Sequence, residues 1–363
     1  RAKRRRDDER PCAGLTTPAR RLRGTIAASA PSSEDNQDPP QSKSAVTMKA
    51  SERMREPPES KAPPKRRSSS RALAPKVEVG GILVSHPDRV LDPLGVTKVD
   101  LAKYYAAVGE VMLPHVRGRP LSLVRWSETP NEKGGVFVRH AKAWGPAELR
   151  RVEIQEKTKV GDYLVADHRS ALVALAQWDI LEIHTWNCTA DDLERPDRIV
   201  FDLDPAPDVA WADTVRAARI IKDRLAASRL ASWVKTTGGK GLHVVVPLRP
   251  RAGWGDVAAF ARTFASELAA KDPKRFVATM AKEERTGRVF IDYLRNARAS
   301  TSVAAFSTRS RPGGTVSMPV RWEEIDEVGP KGFTMATVLD RLEGKARDPW
   351  EGYWRTDQLL PNA

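Results

Sequence analysis

The 363-residue sequence predicts an α+β fold over residues 77–363, preceded by a disordered basic segment over residues 1–76. Three observations predict it. Up to about residue 76 the chain is rich in Pro, Ser, Ala, Arg and Lys without sustained periodicity, so it has too little apolar surface to offset the entropy of ordering. Beyond residue 76, short apolar runs of period two alternate with amphipathic runs of helical period. Two of the apolar runs end in aspartates, residues 199–201 before Asp202 and Asp204, and residues 289–291 before Asp292.

The net charge of +14 favours a polyanionic partner, and nucleic acid fits better than an anionic membrane. No eighteen-residue apolar run and no export signal are present, which indicates no membrane partner and a cytoplasmic, nucleoid-associated location. Cys12 and Cys188 are far apart and fit a reducing compartment without a disulfide framework or a cysteine zinc site. The basic runs 3–6 and 65–67 suit phosphate backbone or a solvated linker equally. Arg1 opens the sequence, as in a fragment, a processed product or the tail of a longer polypeptide, and Met48 is a candidate internal start.

Taken in order, residues 77–84 alternate as a hairpin around Gly80 and Gly81, and residues 86–93 form a loop. Thr97 with Asp100 marks a helix start, and Leu101, Tyr104, Tyr105, Val108 and Met112 carry that helix to about Leu113. Residues 119–126 and 136–139 read as strands flanking a glycine turn. Arg89, Lys98, Arg117, Arg119, Arg125 and Arg139 fall where they could meet phosphates or simply face solvent. A strand over 163–166, a helix over 169–178 and a strand over 181–186 follow, the last carrying His184.

Residues 198–205 read Arg-Ile-Val-Phe-Asp-Leu-Asp-Pro. Strand side chains alternate, so Asp202 and Asp204 share one face while Leu203 turns to the core, and Pro205 stops the ladder. Adjacent carboxylates suit a hard divalent cation, although Asp-x-Asp-Pro is also good turn chemistry before a helix. If the strand of His184 neighbours this one, the imidazole faces the same cleft. Otherwise it is an ordinary structural histidine. A helix over 211–225 follows.

Residues 234–247 place two strands around Thr237, Gly238, Gly239, Lys240 and Gly241, with His243 on the outgoing strand. Hydroxyl, glycines and lysine let backbone amides approach phosphate oxygens, although an ordinary glycine hairpin has the same composition. The spacing is not that of a Walker A loop. After a helix over 254–271, residues 288–293 deliver Asp292, followed by Arg295, Arg298 and Arg309. Short helices over 322–326 and 335–343 close the region, and residues 350–354 dock the tail.

Residues 190–205, 235–243 and 290–295, in that order, resemble the polymerase domain of bacterial DNA ligase D, of the archaeo-eukaryotic primase superfamily. The resemblance covers about residues 78–355. It implies a primase-like core, an RRM-like mixed or antiparallel sheet with flanking helices, and work in non-homologous end joining. It also implies that Asp202, Asp204 and Asp292 bind two Mn²⁺ or Mg²⁺ ions, with His184 at the active site. Thr237, Gly239, Lys240, His243, Arg295 and Arg309 match nucleotide-binding positions. Arg89 and Lys98 match residues that grip a 5′-phosphate, and Phe137 one that stacks on the template. Thr237 stands where serine is common, Thr185 replaces a frequent proline, and Val136 replaces one aromatic of a stacking pair.

The expected activity is addition of nucleotides, from NTP or dNTP substrates, to 3′ ends and into short gaps, with acceptance of ribonucleotides and little sequence preference. Expected partners are broken or gapped DNA with a 5′-phosphate, Ku and a DNA ligase module. No ligase lysine motif or histidine-rich phosphoesterase segment occurs in the sequence. A metal-dependent glycosyltransferase also uses Asp-x-Asp, but it needs neither Asp292 nor a basic surface. A non-catalytic module that bridges DNA ends is the other alternative, and it gains nothing from three clustered carboxylates.

Overall fold

The strands are many and short because the β-branched and aromatic runs are short and bounded by glycine, proline and charge. The computed structural model describes residues 75–91, 94–127, 135–141, 145–344 and 348–361. The disordered segment expected over 1–76 lies outside these residues except for Pro75 and Lys76. Lys76 already opens the first strand.

In chain order the elements are β1 Lys76–Val79, β2 Ile82–Ser85, β3 Val90–Leu91, β4 Val96–Thr97, α1 Lys98–Val116, β5 Leu121–Arg125, β6 Val136–Val138, β7 Arg150–Gln155, β8 Val160–Val165 and α2 Arg169–Gln177. Next come β9 Ile180–Thr185, β10 Arg198–Pro205, α3 Trp211–Ala227, β11 Trp233–Thr236, β12 Leu242–Pro247 and α4 Trp254–Lys271. The last are β13 Phe276–Val277, β14 Val289–Asp292, β15 Ser302–Val303, β16 Pro319–Val320 and α5 Met335–Glu343. Among the described residues no helix is long and apolar enough to cross a membrane.

The central sheet has the order β13-β14-β10-β12-β11-β16, antiparallel throughout except for the parallel β13–β14 pair. This is the mixed sheet with flanking helices that the sequence predicts. On β10, Ile199, Phe201 and Leu203 are fully buried, and Phe201 meets Phe264 of α4 with ring centroids 4.8 Å apart. The opposite face is divided. Val200 packs with Val245, Trp350 and Tyr353, while Asp202 and Asp204 continue that face into a cleft. The expected docking of the tail is therefore present, with the Trp350 indole donating to the Val234 carbonyl at 2.8 Å. The β10–β12 ladder ends at Leu203, just before Pro205, whereas the β10–β14 ladder runs on to Pro205 itself.

A second sheet, β15-β9-β5-β6, is antiparallel and separate from the first. The His184 strand is therefore not a neighbour of the aspartate strand. The sheets are joined by residues 304–317. On one side Ala304 N donates to Ile183 O, Ser307 Oγ accepts from Ile183 N, and Thr308 Oγ1 donates to Leu181 O. On the other, Ser317 N donates to Ser307 O and Thr236 N to Met318 O.

Local signals decide the starts of α1 and α5, where Thr97 and Thr334 cap the first turn. Thr97 and Asp100 form a complete capping box on α1, which runs through Pro114 to Val116, past the predicted end at Leu113. β7 is absent from the sequence reading because its charged residues mask the alternation. Residues 322–327 form turns rather than the short helix expected.

Candidate active site

Four titratable side chains stand in one row across the central sheet. Lys235 is directly opposite His243, His243 opposite Asp202, and Asp202 opposite Asp292, on strands β11, β12, β10 and β14. Directly opposed residues share a face, so the row is a consequence of register. Two opposed carboxylates repel each other, and Arg295 sits between them. Its Nε is 3.3 Å from Asp202 and its Nη2 3.1 Å from Asp292. Asp204, two residues along β10, pairs with Lys240 at 3.1 Å and with Arg285 at 3.4 Å.

Electrostatics separate the two opposed carboxylates. Burial resists ionisation of Asp202, but His243, Arg295 and Lys235 outweigh it and hold the carboxyl well below the usual range. Asp292 moves upward, because burial and the Asp202 charge together exceed the pull of Arg295. His243, 3.3 Å from Asp202, is lowered to about 4 by burial and by Lys235, against the attraction of Asp202. Lys235 is itself pushed far down by burial and by Arg309, and donates to Ser317.

The glycine loop faces this row. The Thr237 hydroxyl accepts from the Gly239 and Gly241 amides, both at 3.3 Å, and donates to the Gly241 carbonyl at 3.1 Å. Two amides expected to be available for phosphate are thus turned onto Thr237. Lys240 donates to the Pro205 carbonyl at 2.6 Å as well as pairing with Asp204. Gly241 has no room for a side chain, since a Cβ there would overlap the Leu203 carbonyl between the two aspartates.

The three aspartates, His243, Arg295 and the glycine loop line a cleft of about 370 Å³, which also receives His184 and Arg309, while Lys235 lies outside its lining. His184 reaches it through the 304–317 connection rather than through a neighbouring strand. Its Nε2 is 2.8 Å from Glu182, and its ring meets Phe137 edge-on at 6.2 Å between centroids. Burial lowers its pKa against the pull of Glu182. Arg309 donates to the Thr237 carbonyl at 2.6 Å.

The expected 5′-phosphate residues lie together outside the cleft lining. Arg89 and Lys98 both pair with Asp179 at 3.1 Å, and Arg89 stacks over Trp126 at 5.5 Å. Lys98 is buried, which lowers its pKa despite Asp179. Phe137 is half exposed on β6. Two arginines are committed elsewhere: Arg119 is buried against Asp197 at 2.9 Å, and Arg298 pairs with Glu194 at 2.8 Å.

Sequence reasoning missed Glu182, Arg285 and Arg311. Glu182 could have been found, because it lies two residues before His184 on the same strand face. Arg285 and Arg311 line the cleft from irregular segments that carry no periodic signal. Among the described residues no three His, Cys, Asp or Glu side chains close into a preformed cage for one ion.

A mixed sheet that presents three strand-borne aspartates to a glycine-lysine loop defines a domain of the primase-polymerase class. Residues 97–350 match the family model described as LigD, primase-polymerase domain, and the chain belongs to that family. It is 37% identical over 297 residues to the multifunctional non-homologous end joining protein LigD of Pseudomonas aeruginosa, covering 80% of this chain and 35% of that protein. It is 27% identical over 267 residues to the bifunctional non-homologous end joining protein LigD of Bacillus subtilis, covering 73% and 43%. The polymerase domain of Mycobacterium tuberculosis ligase D, solved in complex with DNA, superposes with a TM-score of 0.68 at 30% identity, covering 74% of this chain and 96% of that one. The chain thus spans about a third of the Pseudomonas relative's length.

Proposed function

We infer that this chain is an end-joining polymerase, which adds nucleotides from NTPs or dNTPs to 3′ ends, with release of pyrophosphate, and fills short gaps in DNA by nucleotidyl transfer. The observation that carries this reading is the Asp202–Asp292 pair bridged by one guanidinium opposite the Thr237–Gly241 loop. A cation already belongs at that point, because the row is too acidic without one.

The donor set fits Mn²⁺ or Mg²⁺. It consists of hard carboxylate oxygens from Asp202, Asp204 and Asp292, with Asp292 left short of positive charge as its raised pKa reflects. When bound, two such ions would supply activation of the primer 3′-hydroxyl and charge for the leaving pyrophosphate. Release of Asp202 and Asp292 frees Arg295 for phosphate oxygens, and release of Asp204 frees Lys240. Arg309 and Lys240 then neutralise charge on the triphosphate from opposite ends of the loop. Thr237 shapes that loop, and its amides become donors once its hydroxyl rotates away. His243 holds Asp202 in place. Arg89 and Lys98 take the 5′-phosphate across a gap in exchange for Asp179, and Phe137 stacks on the template. The DNA, Ku and ligase partners proposed here follow from the family's place in end joining.

Primer extension on a gapped duplex with a downstream 5′-phosphate tests the reading, with Mn²⁺ and either rNTPs or dNTPs. Wild type should extend and Asp204→Ala should not. Tight gap binding by wild type without extension under any divalent metal would replace this reading with the end-bridging one.

A further inference from the structure

Glu182 is a buried carboxylate that the nucleotidyl-transfer reading leaves without a function. It lies on β9 of the second sheet, yet it contacts His184 and Arg309, which both line the cleft. One oxygen accepts from the Ser310 amide at 2.7 Å. The other lies 2.8 Å from His184 Nε2 and 3.1 Å from Arg309 Nε, the latter an ion pair off the N–H axis. Arg309 in turn holds the Thr237 carbonyl at 2.6 Å, and Thr237 organises the glycine loop.

We propose that Glu182 is a positioning residue of the nucleotide site, which fixes the hydrogen of His184 on Nε2 and anchors the glycine loop through Arg309. The proposal rests on reading the cleft as a nucleoside triphosphate site. A carboxylate can only accept, so Nε2 must carry the hydrogen, and the neutral ring keeps Nδ1 as an acceptor. That nitrogen suits a hydroxyl, from a sugar or a primer end, and not a phosphate oxygen. Among the described residues the same carboxylate is the one acidic group paired with Arg309, so the guanidinium is aimed before any ligand arrives.

The residue choice is constrained by hydrogen-bond inventory. Two hydrogen-bond donors converge on Glu182, an imidazole N–H and a backbone N–H, beside the guanidinium charge of Arg309. Glutamine offers them one oxygen and turns an NH₂ toward another donor, so at least one buried donor loses its partner. Aspartate keeps the charge but withdraws it by one methylene, so it reaches His184 or Arg309 but not both.

The test uses the full chain with three readouts: ATP affinity with Mn²⁺ present by calorimetry, gapped-DNA affinity by fluorescence anisotropy, and the His184 tautomer from ¹⁵N shifts assigned with His184→Gln. For Glu182→Gln we expect ATP affinity to fall at least about tenfold and His184 to become a tautomer mixture, with gapped-DNA affinity within about twofold. Glu182→Asp, which keeps the buried charge and should fold, should lose about threefold or more in ATP affinity. Wild-type ATP affinity in either folded variant overturns the proposal, as does a loss of affinity in Glu182→Gln with the tautomer unchanged. Failure of wild type to bind ATP with Mn²⁺ overturns the nucleotide reading, and the proposal with it. The two failures are therefore distinguishable.

Discussion

Replacement of Gly241 by alanine should separate folding from activity. Gly241 faces the backbone of Leu203, the residue between Asp202 and Asp204, and a Cβ would press well inside contact distance of the Leu203 carbonyl oxygen. Relief requires the loop and β10 to part by about 1 Å or more, because atoms in ordinary contact stay near 3.5 Å apart. Backbone cannot swing aside as a side chain does. The overlap should cost about 1–3 kcal/mol of stability. It should also shift the aspartates against Lys240 and Arg309, a misplacement worth on the order of 100-fold in rate. The assay is single-turnover incorporation into a gapped duplex, read beside urea denaturation. Gly255 on α4 is the control, since a Cβ there meets nothing within 4 Å, and Gly255→Ala should leave incorporation unchanged. Incorporation by Gly241→Ala within about twofold of wild type would refute the reasoning, because a displacement of that size cannot leave chemistry untouched.

Three further outcomes follow from charge. His243 is buried neutral with a pKa of about 4 against an ordinary 6.5, so between those values the unfolded chain binds a proton that the folded protein refuses. Stability in chelator should therefore fall as pH drops from 6.5 toward 4, by up to about 3 kcal/mol, and His243→Gln should flatten that window in urea titrations. Glu182, held at about 2 against 4.5, adds stability that is complete above 4.5 and is lost as pH falls through 2. Arg89→Met combined with Lys98→Met should lower affinity for a gap bearing a 5′-phosphate by about tenfold, to the level of the 5′-hydroxyl duplex, in low-salt anisotropy titrations. A retained preference for the phosphate would place its binding site elsewhere.

The parts of the site legible in the sequence are those built within a few residues. Asp202 and Asp204 share a face because strands alternate, and Thr97 caps α1 because a hydroxyl and a carboxylate stand three apart. The glycine loop was visible from composition alone. What its amides do was not, since the Thr237 hydroxyl occupies two of them. Long-range pairing was likewise hidden. His184 reaches the cleft from a separate sheet because residues 304–317 join the two, a connection that no local pattern announces. The positive charges were the least legible. Arg119, Arg298, Lys98 and Arg295 look alike in sequence, but each one's partner is an acid distant in the chain or brought near by a turn.

The central claim is that the carboxylate row holds the cations for nucleotidyl transfer. Electron paramagnetic resonance titration of Mn²⁺ tests it most directly, on wild type and folded Asp202→Asn, with and without a non-hydrolysable nucleoside triphosphate. The account predicts nucleotide-dependent Mn²⁺ binding to wild type and a loss of at least about tenfold in the variant, since an anionic carboxylate ligand shared across the row becomes a neutral amide. Equal Mn²⁺ affinity in the two proteins would contradict it.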